Sequence, residues 1–466
     1  MRTGELGCAF SATSRSFFRA ARRRIALNTC TCDVRHEVTE SLPTEFQKKL
    51  FDPADPKAAL AELPQSQAVF ALYGADSRAE PYMGRTPNLR SRLERLLQPS
   101  AKHPRRLHLA GLVRRIEWQP TGSEFESLLA QFSLLDEIFG AKVLERMHLR
   151  HPAFVRFLGS NPYPRVTVTH RPSLREADWA YGPFPSRAAA ERYAEEMLKL
   201  FLLRRCTFEL APDPSYPGCV YSEMKMCLAP CFKGCSDERY AEESVAVERF
   251  LATRGESRLV TLRTERDQAS TDLAFESAAA LHGQVQRVEA IRALAAELVR
   301  PLSHLRAVIL QASANPDEVA VFLFDGGRLR GPTAFSTLGM RIQNEQSGST
   351  SLFAQPLAIE AIPEEKATEN TDQGSDQTPA APKLARGVLE SRLEAALAAL
   401  SSPTTAPPAT VRQGHLALLK RWYYRPEAKR AGEIFFPDVE ERWPIKAILR
   451  GVGRMAAKAI LPPPQS

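Results

Sequence analysis

No run of about 18 apolar residues occurs in the 466 residues, which argues against a membrane-spanning helix. Cysteine is scarce: eight residues are too dilute for a disulfide-stapled secreted scaffold. The n-region and apolar h-region of a secretory signal are missing. There is no internal repeat and no recognisable RNA-binding signature. Neither sign of charge dominates, with 62 Lys and Arg against 54 Asp and Glu, a net +8 that permits nucleic-acid binding without requiring it. Hydrophobic residues at 44% and charged residues at 25% exclude a wholly disordered or fibrous chain. What is plentiful is proline, 35 residues, which points to linkers. The length suggests about three domains at roughly 150 residues each.

Residues 1–35 are Arg-rich and acid-poor. That composition fits a transit peptide or, the preferred reading, a basic arm, taken as flexible to residue 60. Cys8, Cys30 and Cys32 in it receive no role. Residues 67–73 (QAVFALY) and 80–83 read as strands joined by a hairpin-like turn. Asn88 to Leu97 reads as an amphipathic helix, with Leu89, Leu93, Leu96 and Leu97 on one face and Arg90, Arg92 and Arg95 off it. Residues 123–138 read as a helix opened by a capping box of Ser123 and Glu126. A third helix is expected over 186–203, and helical sequence over 237–299. Residues 305–335 alternate strand-like runs with turns. Residues 361–383 read as a solvated linker, 388–400 as a short helix, and the tail from 411 is basic.

Two groups of residues carry chemistry. Around residue 82, Tyr82 offers a phenol, Gly84 permits a tight turn from strand to helix, and Arg85 and Arg92 offer forks for a phosphate. Their plain alternative is a strand–turn–helix with a solvated basic face. Farther on, Cys206, Cys219, Cys227 and Cys231 are separated by 12, 7 and 3 residues, with Cys235 after a further gap of 3. Thiols gathered so densely suit a metal or iron–sulfur centre, and zinc is possible too.

Phe70, Tyr82-Met83-Gly84, Arg85, Asn88-Leu89-Arg90 and Arg92 resemble the GIY-YIG nuclease motif, in the variant that opens the UvrC subunit of bacterial excinuclease. Residues 121–135 (TGSEFESLLAQFSLL), 180–206 and the cysteine segment resemble that family's following segments in order. The resemblance covers about residues 65–335. It implies an α+β architecture with a small GIY-YIG domain that hydrolyses one DNA phosphodiester in nucleotide excision repair. Tyr82 would be the activating phenol, Arg92 the transition-state cation, and Arg85 the replacement for the usual Lys. Two positions depart from the pattern. Phe70 lacks the hydroxyl of the GIY tyrosine. Gln131 stands where a Glu holds Mg²⁺ or Mn²⁺, and hard cations prefer carboxylates. Glu124 is a poor replacement, since seven helical residues span about 10 Å. The resemblance further implies an iron–sulfur cluster, or zinc, on Cys206, Cys219, Cys227 and Cys231, leaving Cys235 spare.

Residues 263–289 resemble the UVR motif, a helical hairpin through which UvrC-type proteins dock on UvrB. Leu273, Phe275, Ala279 and Leu281 would make the contact, with His282 and Gly283 in place of the usual Arg-Asp. ILRGVGRMAAKAIL resembles one helix-hairpin-helix unit, with Gly451 and Gly453 forming the hairpin and Arg454, Lys458 and, nearer the nuclease motif, Arg90 contacting DNA. Residues 305–335 resemble the leading strands of the family's second, RNase H-like nuclease, but no carboxylate-rich catalytic domain follows. That resembles the shortened Cho-type relatives and implies one incision, 3′ to a lesion. The expected modules are a basic arm (1–60), a nuclease-like domain (61–140), a cysteine domain (141–258), a UVR-like hairpin (259–299), a small β unit (300–355), a linker (356–410) and a basic tail (411–466). DNA and a UvrB-like protein are the expected partners, in the cytoplasm, with no membrane role.

Overall fold

The computed structural model describes residues 46–76, 78–98, 109–338, 386–401 and 406–460. The basic arm to residue 45, the linker 361–383 and the side chain of Lys458 lie outside the described part. The described chain is α+β.

The first layer holds strands β1 (Gln47–Leu50), β2 (Ala68–Gly74), β3 (Tyr82–Thr86) and β4 (Val113–Pro120) in the antiparallel order β1-β4-β2-β3, so β3 is an edge strand. Helices α1 (Pro56–Ala61) and α2 (Leu89–Leu97) cover one face. Alternate strand residues point to opposite faces. Phe70 and Leu72 therefore meet Leu89, Leu93 and Leu97, while Val69 and Ala71 meet Ala130 and Leu134 of α3 (Glu124–Phe139) on the other side. The expectation of a flexible arm to residue 60 is corrected here. β1 pairs with β4, and Phe51, Leu60 and Leu63 are buried. Gly84 is also reassigned. It lies inside β3 opposite Phe70, and a Cβ there would stand 3.1 Å from that ring. It makes room for an aromatic ring, and the turn into α2 falls at Asn88, whose side chain caps the helix by accepting from the Ser91 N–H at 3.0 Å.

Helix α3 is apolar around most of its circumference, as a helix covered on two sides must be. Its Phe125, Leu128, Leu129 and Phe132 enter a second core. After α4 (Val143–Arg146) comes a second antiparallel sheet, β6-β5-β7-β8, built from β5 (Ala153–Phe157), β6 (Val166–Thr169), β7 (Ala180–Phe184) and β8 (Arg300–Pro301). Helix α5 (Arg187–Leu198) packs on it and ends before residue 203, where the chain enters the cysteine segment with α6 (Val220–Glu223). Then α7 (Asp237–Ala252), α8 (Glu256–Thr271) and α9 (Phe275–Ala293) follow. The last two fold back on each other, held by ion pairs of Arg263 with Glu289 (2.8 Å) and Arg292 with Glu256 (2.9 Å).

A third sheet has the order β11-β10-β9-β12, from β9 (Ala307–Ala312), β10 (Glu318–Asp325), β11 (Arg328–Ser336) and β12 (Glu433–Phe435). Its Ile309, Phe322 and Phe324 pack on α3 and α11 (Ala409–Tyr423). Its Val308, Leu310, Val319 and Val321 pack on α10 (Arg386–Leu400) and α12 (Ile445–Ile460). The β unit expected over 300–355 and the tail expected over 411–466 are thus one body, joined by the pairing of β12 with β9.

The expected helix-hairpin-helix is not formed. One continuous helix, α12, runs through Gly451 and Gly453, and neither adopts a positive φ. Ile448, Leu449, Val452, Met455 and Ala456 fall at helical spacing and are buried. A Cβ on Gly451 would stand 2.6 Å from Phe435 Cζ, so this glycine lets α12 approach β12 closely and makes no turn. Among the described residues no helix is long and apolar enough to cross a membrane.

Candidate nuclease site and cysteine centre

The β2–β3 hairpin and α2 bring Tyr82 and Arg92 together. Tyr82 packs on the α2 side of the sheet, and Arg92 Nη2 donates to its Oη at 3.2 Å. Because the phenol oxygen accepts this bond, its own O–H remains to donate outward. The buried Phe70 ring lies 6.3 Å from Tyr82, centroid to centroid, and brings no hydroxyl.

The other sequence-derived residues are not joined to this pair. Arg85 is on the opposite face of β3, where Nη1 stands 3.8 Å from Glu124 of α3. Both oxygens of Glu124 accept from Arg425, at 2.7 and 2.8 Å. That hydrogen bond, with the charges of Arg425, Arg85 and Arg421, holds the Glu124 carboxyl below the usual range against the opposing pull of burial. Gln131 is half-buried on α3 and makes no side-chain hydrogen bond among the described residues. Glu126 is buried too. Ser123 accepts from its N–H at 3.1 Å as expected of a capping box, but its carboxylate accepts from the Gly122 N–H at 2.8 Å instead of returning to Ser123. Burial pushes the Glu126 carboxyl up to about 7. Arg90 is engaged in structure, donating to the Leu63 carbonyl at 2.8 Å. Arg454 pairs with both oxygens of Glu433, at 2.9 and 2.6 Å.

The cysteine segment converges. Cys206, Cys219, Cys227 and Cys231 line one cavity, and Cys235 is outside its lining. All five are free thiols. The turns that aim them carry positive φ at Lys225 (54°), Ala229 (57°) and Lys233 (56°). The Ala229 N–H donates to Cys227 Sγ at 3.3 Å. Burial, with the nearby Cys206, Cys231 and Cys219, pushes the Cys227 thiol up to about 11. Arg204, 1% exposed, lines the same cavity. It donates to the Tyr163 and Phe208 carbonyls at 2.8 and 2.9 Å and points Nη1 at Cys206 Sγ, 3.6 Å away. Its buried Nη2 has no hydrogen-bond partner. A buried guanidinium beside four thiols, without an acidic side chain paired to it among the described residues, is the environment an anionic metal–thiolate centre would satisfy. The thiols as they stand do not form a group at metal-ligating geometry among the described residues, so holding a metal would require them to draw closer.

On the α8–α9 hairpin, Leu273 (φ 58°) and Phe275 are 70% and 67% exposed at the tip, Ala279 is exposed, and Leu281 is half-buried against the core. The sequence offered no signal for Arg204, Arg421 or Arg425.

Residues 154–250 match the family described as UvrC/Cho excinuclease, middle domain. The chain is 30% identical over 239 residues to the UvrABC system protein C of Alcanivorax borkumensis, covering 51% of this chain and 39% of that protein. It is 30% identical over 242 residues to the namesake from Aromatoleum aromaticum, covering 52% and 39%, and 26% identical over 316 residues to that of Ruminiclostridium cellulolyticum, covering 67% and 51%. No solved structure matches the chain. About half to two thirds of the chain is thus similar to UvrC proteins, and its middle segment matches their family model. The chain spans about two fifths of the length of the first two of these relatives and about half of the third.

Proposed function

We propose that this is a DNA-repair protein of the nucleotide excision repair type that cuts one phosphodiester, on the 3′ side of a lesion, at Tyr82 and Arg92. The observation that carries the reading is the hydrogen bond from Arg92 to Tyr82 on a strand–helix unit with the UvrC order of residues. Phosphoryl transfer depends chiefly on positioning and on stabilising developing negative charge. The Tyr82 O–H is free to orient a water, and the Arg92 fork stands beside it to meet the charge. The Mg²⁺ or Mn²⁺ that the resemblance implies does not fit the residues present. Gln131 offers a carbonyl only, and Glu124 is held by Arg425.

That misfit and the buried Phe70 favour a second reading, a catalytically impaired UvrC-like protein that binds DNA and a UvrB-like partner. In either reading the exposed Leu273 and Phe275 would meet that partner. Cys206, Cys219, Cys227 and Cys231 would hold an iron–sulfur cluster or zinc, with Arg204 balancing its charge, as a staple for a segment poor in apolar residues.

The deciding experiment incubates the purified protein with UvrA, UvrB, Mg²⁺ or Mn²⁺ and a lesion-bearing duplex. Incision by wild type that is lost in Tyr82→Phe supports the nuclease. No Tyr82-dependent incision leaves the binding reading. If incision is weak, Gln131→Glu should raise it at least about tenfold, about 1.4 kcal/mol of barrier, by restoring a carboxylate.

A further inference from the structure

Arg85 and Arg425 meet at the single carboxylate of Glu124, where the edge strand β3, the start of α3 and the end of α11 come together, and Arg421, in the last turn of α11, adds its charge to the same carboxylate. Arg425 lies just beyond α11, and its guanidinium is fixed by both Glu124 oxygens. Arg421 is exposed and makes no ion pair among the described residues. Burial lowers the Arg85 pKa, and the charges of Arg421 and Arg425 push the same way, opposed by Glu124. The local sum is three cations against one anion. With Glu124 already taken by Arg425, Arg85 faces the like charges of Arg421 and Arg425, and an added anion relieves that repulsion.

We propose that Arg421 and Arg425, supplied by the C-terminal body, complete with Arg85 a seat for DNA backbone phosphates beside the nuclease-like strand, with Glu124 keeping Arg425 in place. The proposal deepens the DNA-repair reading and rests on it. Guanidinium forks match phosphate oxygens. Arg85 is three residues from Tyr82 along an unpaired edge, about 10 Å, which is roughly three base-pair steps of duplex axis at 3.4 Å each. DNA wrapped over this edge would meet the Tyr82–Arg92 pair on one face of the sheet and the arginine seat on the other.

The test measures duplex binding without divalent cation, as a function of salt, so that it is independent of incision. Arg421→Ala removes an exposed side chain and should reduce the slope of log K against log salt by about 0.9, the loss of one phosphate contact. Arg287→Ala, an exposed arginine on α9, should leave the slope unchanged. A bound wild type whose slope is the same in Arg421→Ala overturns the seat alone, as does an equal loss in Arg287→Ala, which would mean diffuse net charge. A wild type that binds no duplex overturns the seat and the DNA-repair reading together, whereas absent incision with an Arg421-dependent slope overturns only the nuclease.

Discussion

Arg425 grips both oxygens of Glu124 across 301 residues of chain, at 2.7 and 2.8 Å, and so ties the C-terminal body to the first turn of the helix beneath the nuclease-like sheet. The pair is partly exposed, so its worth is limited. Arg425→Ala should lower the unfolding free energy by no more than about 1 kcal/mol. Because the Glu124 carboxyl is held low in the folded state, this contribution is present above its ordinary pKa of 4.5 and is lost as the pH falls below it. Urea titrations of wild type and variant at neutral and acid pH should therefore converge on the acid side.

Gly451 and Gly453 distinguish a continuous helix from a hairpin. Nothing stands within 4 Å of a Cβ built on Gly453, so Gly453→Ala should stabilise the protein by about 1 kcal/mol through helix propensity. Gly451→Ala drives a methyl toward Phe435 and should cost about 1–3 kcal/mol. Thermal unfolding of both variants checks this; a destabilised Gly453→Ala would contradict the uninterrupted α12.

Two buried groups set opposing pH slopes. His415, fully buried, accepts the Leu329 N–H on Nδ1 at 2.9 Å, and burial pushes its pKa from 6.5 down to about 3. The unfolded ring takes a proton that the folded one refuses, so stability falls as pH drops through that window, by up to about 1.4 kcal/mol per unit. Glu126 behaves in the opposite sense. Its folded pKa of about 7 against 4.5 means that stability falls as pH rises between the two. Between about 4.5 and 6.5 the two slopes nearly cancel. Glu126→Gln should unmask a stability that rises with pH. His415→Phe should unmask one that falls, on top of about 1–3 kcal/mol for the unpaired Leu329 N–H. Urea midpoints at several pH values across that range read both.

The lining of the cysteine cavity decides which thiols matter. Serine at any one of Cys206, Cys219, Cys227 or Cys231 should abolish metal retention, measured by elemental analysis and visible absorbance of the purified protein. Cys235→Ser should leave both unchanged, since Cys235 lies outside the lining. Equal loss on replacing Cys235 would redraw the ligand set.

Much of the local chemistry was legible in the residues themselves. Asn88 and Ser123 announce their helices because a cap needs only a side-chain oxygen three residues before an N–H. The leucines of α2 declare their buried face by spacing, and the thiols that line one cavity stand close together in the chain. Such signals act within a few residues, so one segment suffices to carry them. What only the tertiary structure decided depends on which faces meet. A three-residue strand such as β12 has no readable pattern of its own and becomes a strand by pairing with β9. The two glycines of α12 read as a turn until burial of the helix's apolar face against the third sheet makes the segment one helix. The pleat put Arg85 on the face away from Tyr82, and nothing near residue 124 announces a partner at 425. The motif around residue 82 is thus the sequence's own, but its neighbours are chosen by long-range packing, because charge and apolar area are matched in space and not along the chain.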